Sequence, residues 1–494
     1  MVAGCTPERS ATSATVTVPS GEASSSARTA VCTASRVLAD LPPGRIVPAA
    51  CVMHPCYRDS LALVAGYRLL TRATRISSPL CRTLKRKAFA LGRWGLMPRV
   101  LVVGAGIAGD TVALMLGRAG WEVTVAEIAP ELRGGGQSVD LRGDCRAVLD
   151  RLGLLDEVLA RLVDQRGAAW VDGAGRRLAE MPVEAFGGNG YVSKEELLRS
   201  DLARVLHDAA GAQVTHLFGE TVEALEDAPN GVSVRFRHAP PAEFDLVIGA
   251  DGAHSRVRRL RFGPEEVFRR QLGLAHAWFT MDETPATPPV DGWFLTHNAP
   301  GSRSVEARPG HPGQQEIGFT FAATTLPPRR DREAQFALLD QVFADVGWRT
   351  RELLAAARQA PDFALDTLDQ IQLPKWSDGR VVLLGDSAWC ASPLSGLGTA
   401  LALRGAAALA DAVEAADALR LPHRLSDALT AYETAMRPRV QDAQRLFPGR
   451  VRQAAPRTGL GIHTVAWLIR QIQKPPLAKT FTRLAAGHGQ GQPA

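Results

Sequence analysis

Val100-Leu101-Val102-Val103-Gly104-Ala105-Gly106-Ile107-Ala108-Gly109 is the stretch that decides the fold. Its first four residues form a short apolar, β-rich run, as a buried parallel strand requires. A glycine turn follows. Residues 110 to 119 then carry a helical pattern that stops at Gly120, a residue suited to the helix C-terminus. Glu122 to Ala126 reads as the next strand, with Glu127 at its end. Together they make one βαβ unit of the Rossmann type. In such a unit Gly104 permits the tight turn, Gly106 lets the backbone approach a pyrophosphate, and Gly109 lets the helix pack on the strand. Phosphate oxygens then meet free N–H groups at the positive end of the helix dipole. Glu127 lies where a carboxylate can accept a hydrogen bond from a ribose hydroxyl. A glycine turn used for packing alone is the competing reading. The unit by itself does not choose between dinucleotides.

Outward from this unit, helical patterns recur at 145–162 and 194–208. Strand patterns appear at 222–224, 232–237 and 246–248. From 266 to 372 the character changes. Trp278, Trp293, Phe294, Phe319 and Phe321 lie in alternating stretches, which predicts an antiparallel sheet. Residues 332–357 read as helical, and 381–384 as another buried strand. A long Ala- and Leu-rich helix follows over 399–415, with further helices at 425–436 and 461–472. The fold class is therefore α/β: a Rossmann-like domain (97–265 and 373–415), an inserted antiparallel-sheet domain for substrate (266–372), and C-terminal helices with a tail (416–494).

The chain has 494 residues and a net charge of +6. Residues 1–96 hold thirteen Lys or Arg against four Asp or Glu, a net +9, which leaves about −3 for 97–494. The body thus lacks the basic footprint of a nucleic-acid binder. Five of the seven cysteines also lie before residue 97, and only Cys145 and Cys390 lie in the body. Two isolated thiols make no disulfide framework, so a reducing cytoplasm is the expected location. Cys51 and Cys56 flank His54, but no second pair completes a zinc set, and no metal site is expected. No apolar run reaches the ~18 residues that would suggest a membrane span. Residues 1–36 are rich in Ser, Thr and Ala and read as disordered; 58–95 are Arg-rich and suit an amphipathic helix. A transit peptide, a disordered tail and translated upstream sequence all remain open for this extension. The last is favoured because Met97-Pro98-Arg99 directly precedes the first strand.

Two further fragments give the glycine turn its meaning. They are Gly249-Ala250-Asp251-Gly252-Ala253-His254-Ser255-Arg256, and Gly385-Asp386 with Pro393-Leu394-Ser395-Gly396-Leu397-Gly398. In this order they resemble the three FAD motifs of the class A flavoprotein monooxygenases, the para-hydroxybenzoate hydroxylase type. The body is most similar to the tetracycline-inactivating branch and related actinobacterial enzymes. Gly134 to Gly143, with Gln137, resembles that branch's flavin-proximal loop. Arg199-Ser200-Asp201-Leu202 resembles the family's Arg-x-Asp-Leu, whose Arg touches FAD. The likeness spans about 97 to 440. One departure is Ile128, where family members often place an Arg against the adenosine; Arg133 is the candidate substitute.

The resemblance implies FAD as cofactor, held by Gly104, Gly106, Gly109, Glu127, Gln137, Arg199, Asp251, Gly252, Asp386, Pro393, Gly396 and Gly398. Physical chemistry agrees in part. Asp386 at a strand end can accept from the ribityl chain, or serve only as a cap. Gly396 and Gly398 remove side chains that would block a flat ring, at a helix N-terminus that favours the negative charge of reduced flavin. A plain helix–sheet crossing is the alternative. Arg256 suits a phosphate or a surface ion pair. Trp389 faces either the flavin or the core. NADPH or NADH would dock transiently, since no separate nucleotide domain is evident.

The expected activity is hydroxylation of an aromatic or polycyclic natural product or antibiotic with O2, through a C4a-hydroperoxyflavin, with no dedicated acid–base residue assigned. An oxidase, reductase or halogenase on the same scaffold, or a ligand-sequestering flavoprotein, is the alternative. The serine-hydrolase elbow and the His-Glu-x-x-His motif are both missing.

Overall fold

In a computed structural model that describes residues 97–479, apart from positions 136, 189, 285–286, 419–420 and 476, Arg99–Val103 lies inside a six-stranded sheet. The expectations for residues 1–96 and for the end of the tail fall outside the described residues.

The strand order in this sheet is Ser377–Asp378, Val381–Leu383, Leu246–Gly249, Arg99–Val103, Glu122–Glu127 and Val214–Phe218. All neighbours are parallel except the first pair. Val100, Leu101 and Val102 are fully buried, which explains the unbroken apolar run. Helix Ile107–Arg118 covers the sheet. Helix Gly398–Ala415 packs on that helix and on Leu425–Gln444.

A seven-stranded sheet forms the second layer. Its order is Ala364–Ile371, Arg269–Asp282, Gln314–Ala322, Arg303–Pro309, Trp293–Ala299, Gly167–Val171 and Arg177–Pro182. The last two strands come from the stretch expected to belong wholly to the first domain. They join because Gly167–Val171 pairs in parallel with Trp293–Ala299. A Cβ at Gly167 would stand 2.6 Å from both the Met181 carbonyl oxygen and the Trp293 ring. One face of this sheet presents Ala275, Ala277, Phe279, Phe319 and Phe321 to Leu339, Phe343, Leu353 and Ala357 of two covering helices.

Several boundaries differ from expectation. The helix predicted at 194–208 begins at Arg199. Glu196–Leu198 is instead a strand, buried throughout and paired with Ser138–Asp140. The helix predicted at 145–162 breaks at Gly153, in the left-handed region, into Cys145–Arg151 and Leu155–Leu159. The helix predicted at 332–357 is divided into Arg332–Phe343 and Thr350–Gln359.

Candidate cofactor and substrate site

Helix Ile107–Arg118 starts at Gly106 with no side-chain cap, so its first amides stay available at the carboxyl end of the central strand. The motif's glycines divide by what a side chain would meet. At Gly104, φ is +107° and a Cβ would lie 2.6 Å from the Ala250 carbonyl oxygen. A Cβ at Gly109 would overlap the Gly104 carbonyl oxygen. Both positions are closed by the protein itself. A Cβ at Gly106 would meet only Arg199 Nη2, at 3.8 Å, and at Gly252, Gly396 and Gly398 it would meet nothing within 4 Å. Those four open onto free space, as a cradle for a large ligand requires.

Glu127 closes the turn from the side. Its Oε2 accepts from the Ala105 amide at 2.9 Å and its Oε1 from the Ala129 amide at 2.9 Å. Arg133 Nη2 lies 3.7 Å from Glu127 Oε1, so the substitute cation reaches the acid. Ile128 is 51% exposed beside them.

The second and third motifs lock together. Asp251 Oδ1 accepts from Ser255 Oγ at 2.5 Å, and Oδ2 accepts from the Arg256 amide at 2.6 Å and the Val257 amide at 3.2 Å. Ser387 Oγ lies 3.3 Å from Asp251 Oδ1 and accepts from the Gly252 amide at 2.9 Å. The Asp251 carboxylate is therefore spent on the loop, and what this motif turns outward is Gly252. Arg258, fully buried, reaches the Ser387 carbonyl at 2.9 Å and Glu265 at 2.8 Å. Arg256 is half-buried and leaves its Nε without a partner.

Asp386 is solvent-exposed, yet the protein surrounding it raises its carboxyl pKa by desolvation, partly offset by the Arg199 charge. Pro393, Gly396, Gly398 and Arg199 are exposed as well. Helix Gly398–Ala415 has no side-chain cap either, so a second uncapped N-terminus joins the site. The Arg199 amide donates to the Gln137 carbonyl at 3.3 Å, which ties the flavin-proximal loop to that arginine. Trp389 is only 1% exposed and packs 4.5 Å from Trp376, so it belongs to the core.

A set of polar residues on the seven-stranded sheet escaped the sequence reading. Register places His276, Trp278 and Thr280 on one face of their strand, opposite Thr320, Gly318 and Glu316. Ser304, Glu306 and Arg308 continue that face, then Thr296 and Asn298. The face meets the flavin-proximal loop. Gln137 Nε2 contacts His276 Nε2, while Ser138 donates to Glu316 Oε2 from its amide at 2.8 Å and its hydroxyl at 2.7 Å. Burial raises the Glu316 pKa to about 7. His276 Nδ1 pairs with Thr320 Oγ1 at 2.8 Å, and burial lowers its pKa. Thr296 Oγ1 and Asn298 Oδ1 are buried without a hydrogen-bond partner. Trp170, Tyr191 and Phe294 form an aromatic wall, with centroids 5.2 and 5.8 Å apart. The signal was present in the sequence as polar residues at period two on strands whose other face is apolar.

A protein-family model described as FAD binding domain matches residues 97–446. An uncharacterized Mycobacterium tuberculosis protein is 42% identical over 322 residues, covering 65% of this chain and 86% of that one. The FAD-dependent monooxygenase asL4 of Sarocladium schorii is 33% identical over 399 residues, covering 76% and 92%. Among solved structures, the tetracycline destructase Tet(51) is 28% identical with a TM-score of 0.63, covering 76% of this chain and 97% of that one.

Proposed function

The chain belongs to the FAD binding domain family and is a flavin-dependent monooxygenase, and on that premise we propose that it spends NADPH or NADH and O2 to place one oxygen atom on an aromatic or polycyclic compound, a natural product or an antibiotic. One observation carries the reading. Three motifs far apart in sequence pack against one another, with Gly104 against Ala250, Gly385 against Ala108 and Ser387 against Asp251, and a mixed polar and aromatic sheet face contacts the loop at Gln137.

FAD, when bound, supplies the redox chemistry and the activation of oxygen. This chain's residues hold and orient it. The amides of helix Ile107–Arg118 take the pyrophosphate, with Gly106 allowing close approach. Glu127 takes the adenosine ribose and Arg133 lies beside it. Arg199 and Asp386 are both exposed and close enough for the Arg199 charge to act on the carboxylate, and Asp386 would accept from a ribityl hydroxyl. Gly396 and Gly398 leave room for the ring, and the uncapped helix behind them favours negative charge there.

On the sheet face, the half-buried Tyr191 and Trp278 give flat apolar surface to a ring system, backed by buried Trp170 and Phe294. Thr296 and Asn298, whose side-chain oxygens find no partner in the protein, give that ring system hydrogen bonds. Burial lowers the pKa of His276, and its two ring nitrogens tie the sheet face to Gln137 and Thr320. The likeness to a tetracycline destructase favours a polycyclic, oxygen-rich substrate. Excluding water is the protein's remaining task, since bulk water would divert activated oxygen to peroxide.

The test is a screen of phenols and tetracycline-like compounds for stimulated NADPH oxidation, followed by mass analysis of the product. Oxidation should be slow without substrate and rise clearly with the right one, and the product should gain one oxygen from labelled O2. Label from water would mean hydrolysis. Stoichiometric peroxide with an unoxygenated product would mean an oxidase. A bound compound that never stimulates NADPH use would mean sequestration.

A further inference from the structure

Asp110 meets two histidines from about a hundred residues further along the chain at the sheet's outer edge. Asp110 follows the glycine turn on helix Ile107–Arg118. His207 lies in the last turn of helix Arg199–Ala210, and His216 lies in strand Val214–Phe218. His216 Nε2 is 3.1 Å from Asp110 Oδ1 and 3.2 Å from His207 Nδ1. One ligand atom from each residue lies within 4.8 Å of the other two. The imidazole rings meet edge to face with centroids 4.2 Å apart, and Phe218 packs against both.

As a hydrogen-bonded cluster this arrangement is poor. An imidazole nitrogen has one in-plane position, holding either a proton or a lone pair. His216 Nε2 can therefore serve Asp110 or His207, but not both. Asp110 is fully buried and its Oδ2 has no partner. A carboxylate oxygen buried in the Rossmann core without a partner is costly. A divalent cation at the convergence point resolves all of this, with two imidazole lone pairs and one carboxylate oxygen as ligands. Tetrahedral zinc ligands at ~2.0–2.1 Å from the ion stand about 3.3–3.4 Å from one another. The two close pairs here are already near that spacing.

We propose that Asp110, His207 and His216 form a divalent-metal site of the zinc class, separate from the flavin chemistry, that ties the phosphate-binding helix to the next helix and to the edge strand. Two nitrogens and one oxygen suit Zn2+, with a water completing the shell. The Asp110 amide donates to the Gly106 carbonyl at 2.9 Å, so the ion would also steady the start of the turn. Sequence spacing could not announce the site, because its ligands are scattered over more than a hundred residues.

The test uses tag-free, FAD-loaded protein, stripped with a chelator and dialysed against ZnCl2. One zinc per chain should be retained, the thermal midpoint should rise by several degrees, and both effects should fade near pH 5 as the ligands protonate. His207→Gln should lose both effects, while His463→Gln, at an exposed helix position, should keep them. Zinc well below one per chain in the wild-type protein would overturn the proposal, whatever the variants do. Equal retention by wild type and His207→Gln would overturn it too, as adventitious binding elsewhere.

Discussion

Ser387 and Asp251 stand 136 residues apart and meet side chain to side chain, with Ser387 Oγ 3.3 Å from Asp251 Oδ1 while the same hydroxyl accepts from the Gly252 amide at 2.9 Å. This contact joins the second and third motifs into one wall. Ser387 is fully buried, so the hydroxyl has no water to fall back on.

Ser387→Ala should therefore weaken FAD binding by about 1 kcal/mol, roughly fivefold in Kd, through the strayed Gly252 loop. Asp251→Ala should cost more, since it also strips the acceptor from Ser255, Arg256 and Val257. Fluorescence titration of the apoprotein with FAD measures both. An unchanged Kd for Asp251→Ala would show that the two motifs are not held by this contact.

The motif's glycines should fail in different ways. Gly109→Ala drives a methyl into the Gly104 carbonyl, so it should lower the yield of folded protein or the melting temperature. Gly106→Val should fold, because its side chain meets only Arg199 at 3.8 Å, and yet lose FAD. Circular dichroism and flavin absorbance on the same samples separate the two outcomes. Full FAD occupancy in Gly106→Val would rule out the assigned pyrophosphate position.

Thr296→Val tests the substrate face. The buried hydroxyl has no partner in the protein, so replacing it with a methyl should leave stability unchanged or slightly higher. Substrate binding should nonetheless suffer, with KM rising by about threefold to tenfold for a lost neutral hydrogen bond. Thermal melts and steady-state kinetics together decide it. Lower stability with an unchanged KM would place the hydroxyl in the fold's own bonding.

His254 should make stability depend on pH. It bridges Asp366 at 2.9 Å and Glu265 at 2.8 Å, and those two hydrogen bonds raise its pKa to about 9, against an ordinary 6.5. A folded pKa above the unfolded one means the stabilisation is complete below about pH 6.5 and is lost as pH rises through about 9. Wild type should thus exceed His254→Gln in melting temperature at pH 6, and the gap should close by pH 9.5. A gap that is constant across this range would show that the bridge does not depend on the imidazolium charge.

The βαβ unit, its glycines and Glu127 could be read from the chain because their conformation depends on neighbours within about twenty residues. Turn chemistry, an apolar run and helical periodicity are local properties; Arg99–Val103 and Glu122–Glu127 formed where those properties put them, and the helix expected from 110 starts one turn earlier, at Ile107. The long helix Gly398–Ala415 was legible for the same reason. Where local pattern and tertiary demand disagreed, tertiary demand prevailed. Residues 194–198 carry a helical pattern, but Glu196–Leu198 became a buried strand because the flavin-proximal loop needed a partner. Gly167–Val171 and Arg177–Pro182, paired with each other, extend a sheet built mainly from residues beyond 268. The sequence alone determined which local elements could hold a dinucleotide. Only the tertiary structure decided that Asp251 would spend its carboxylate on its own loop and Ser387, that His276 would meet Gln137, and that Asp110 would meet two histidines. Those outcomes depend on which distant surfaces exclude water from one another, and no short window of sequence contains both surfaces.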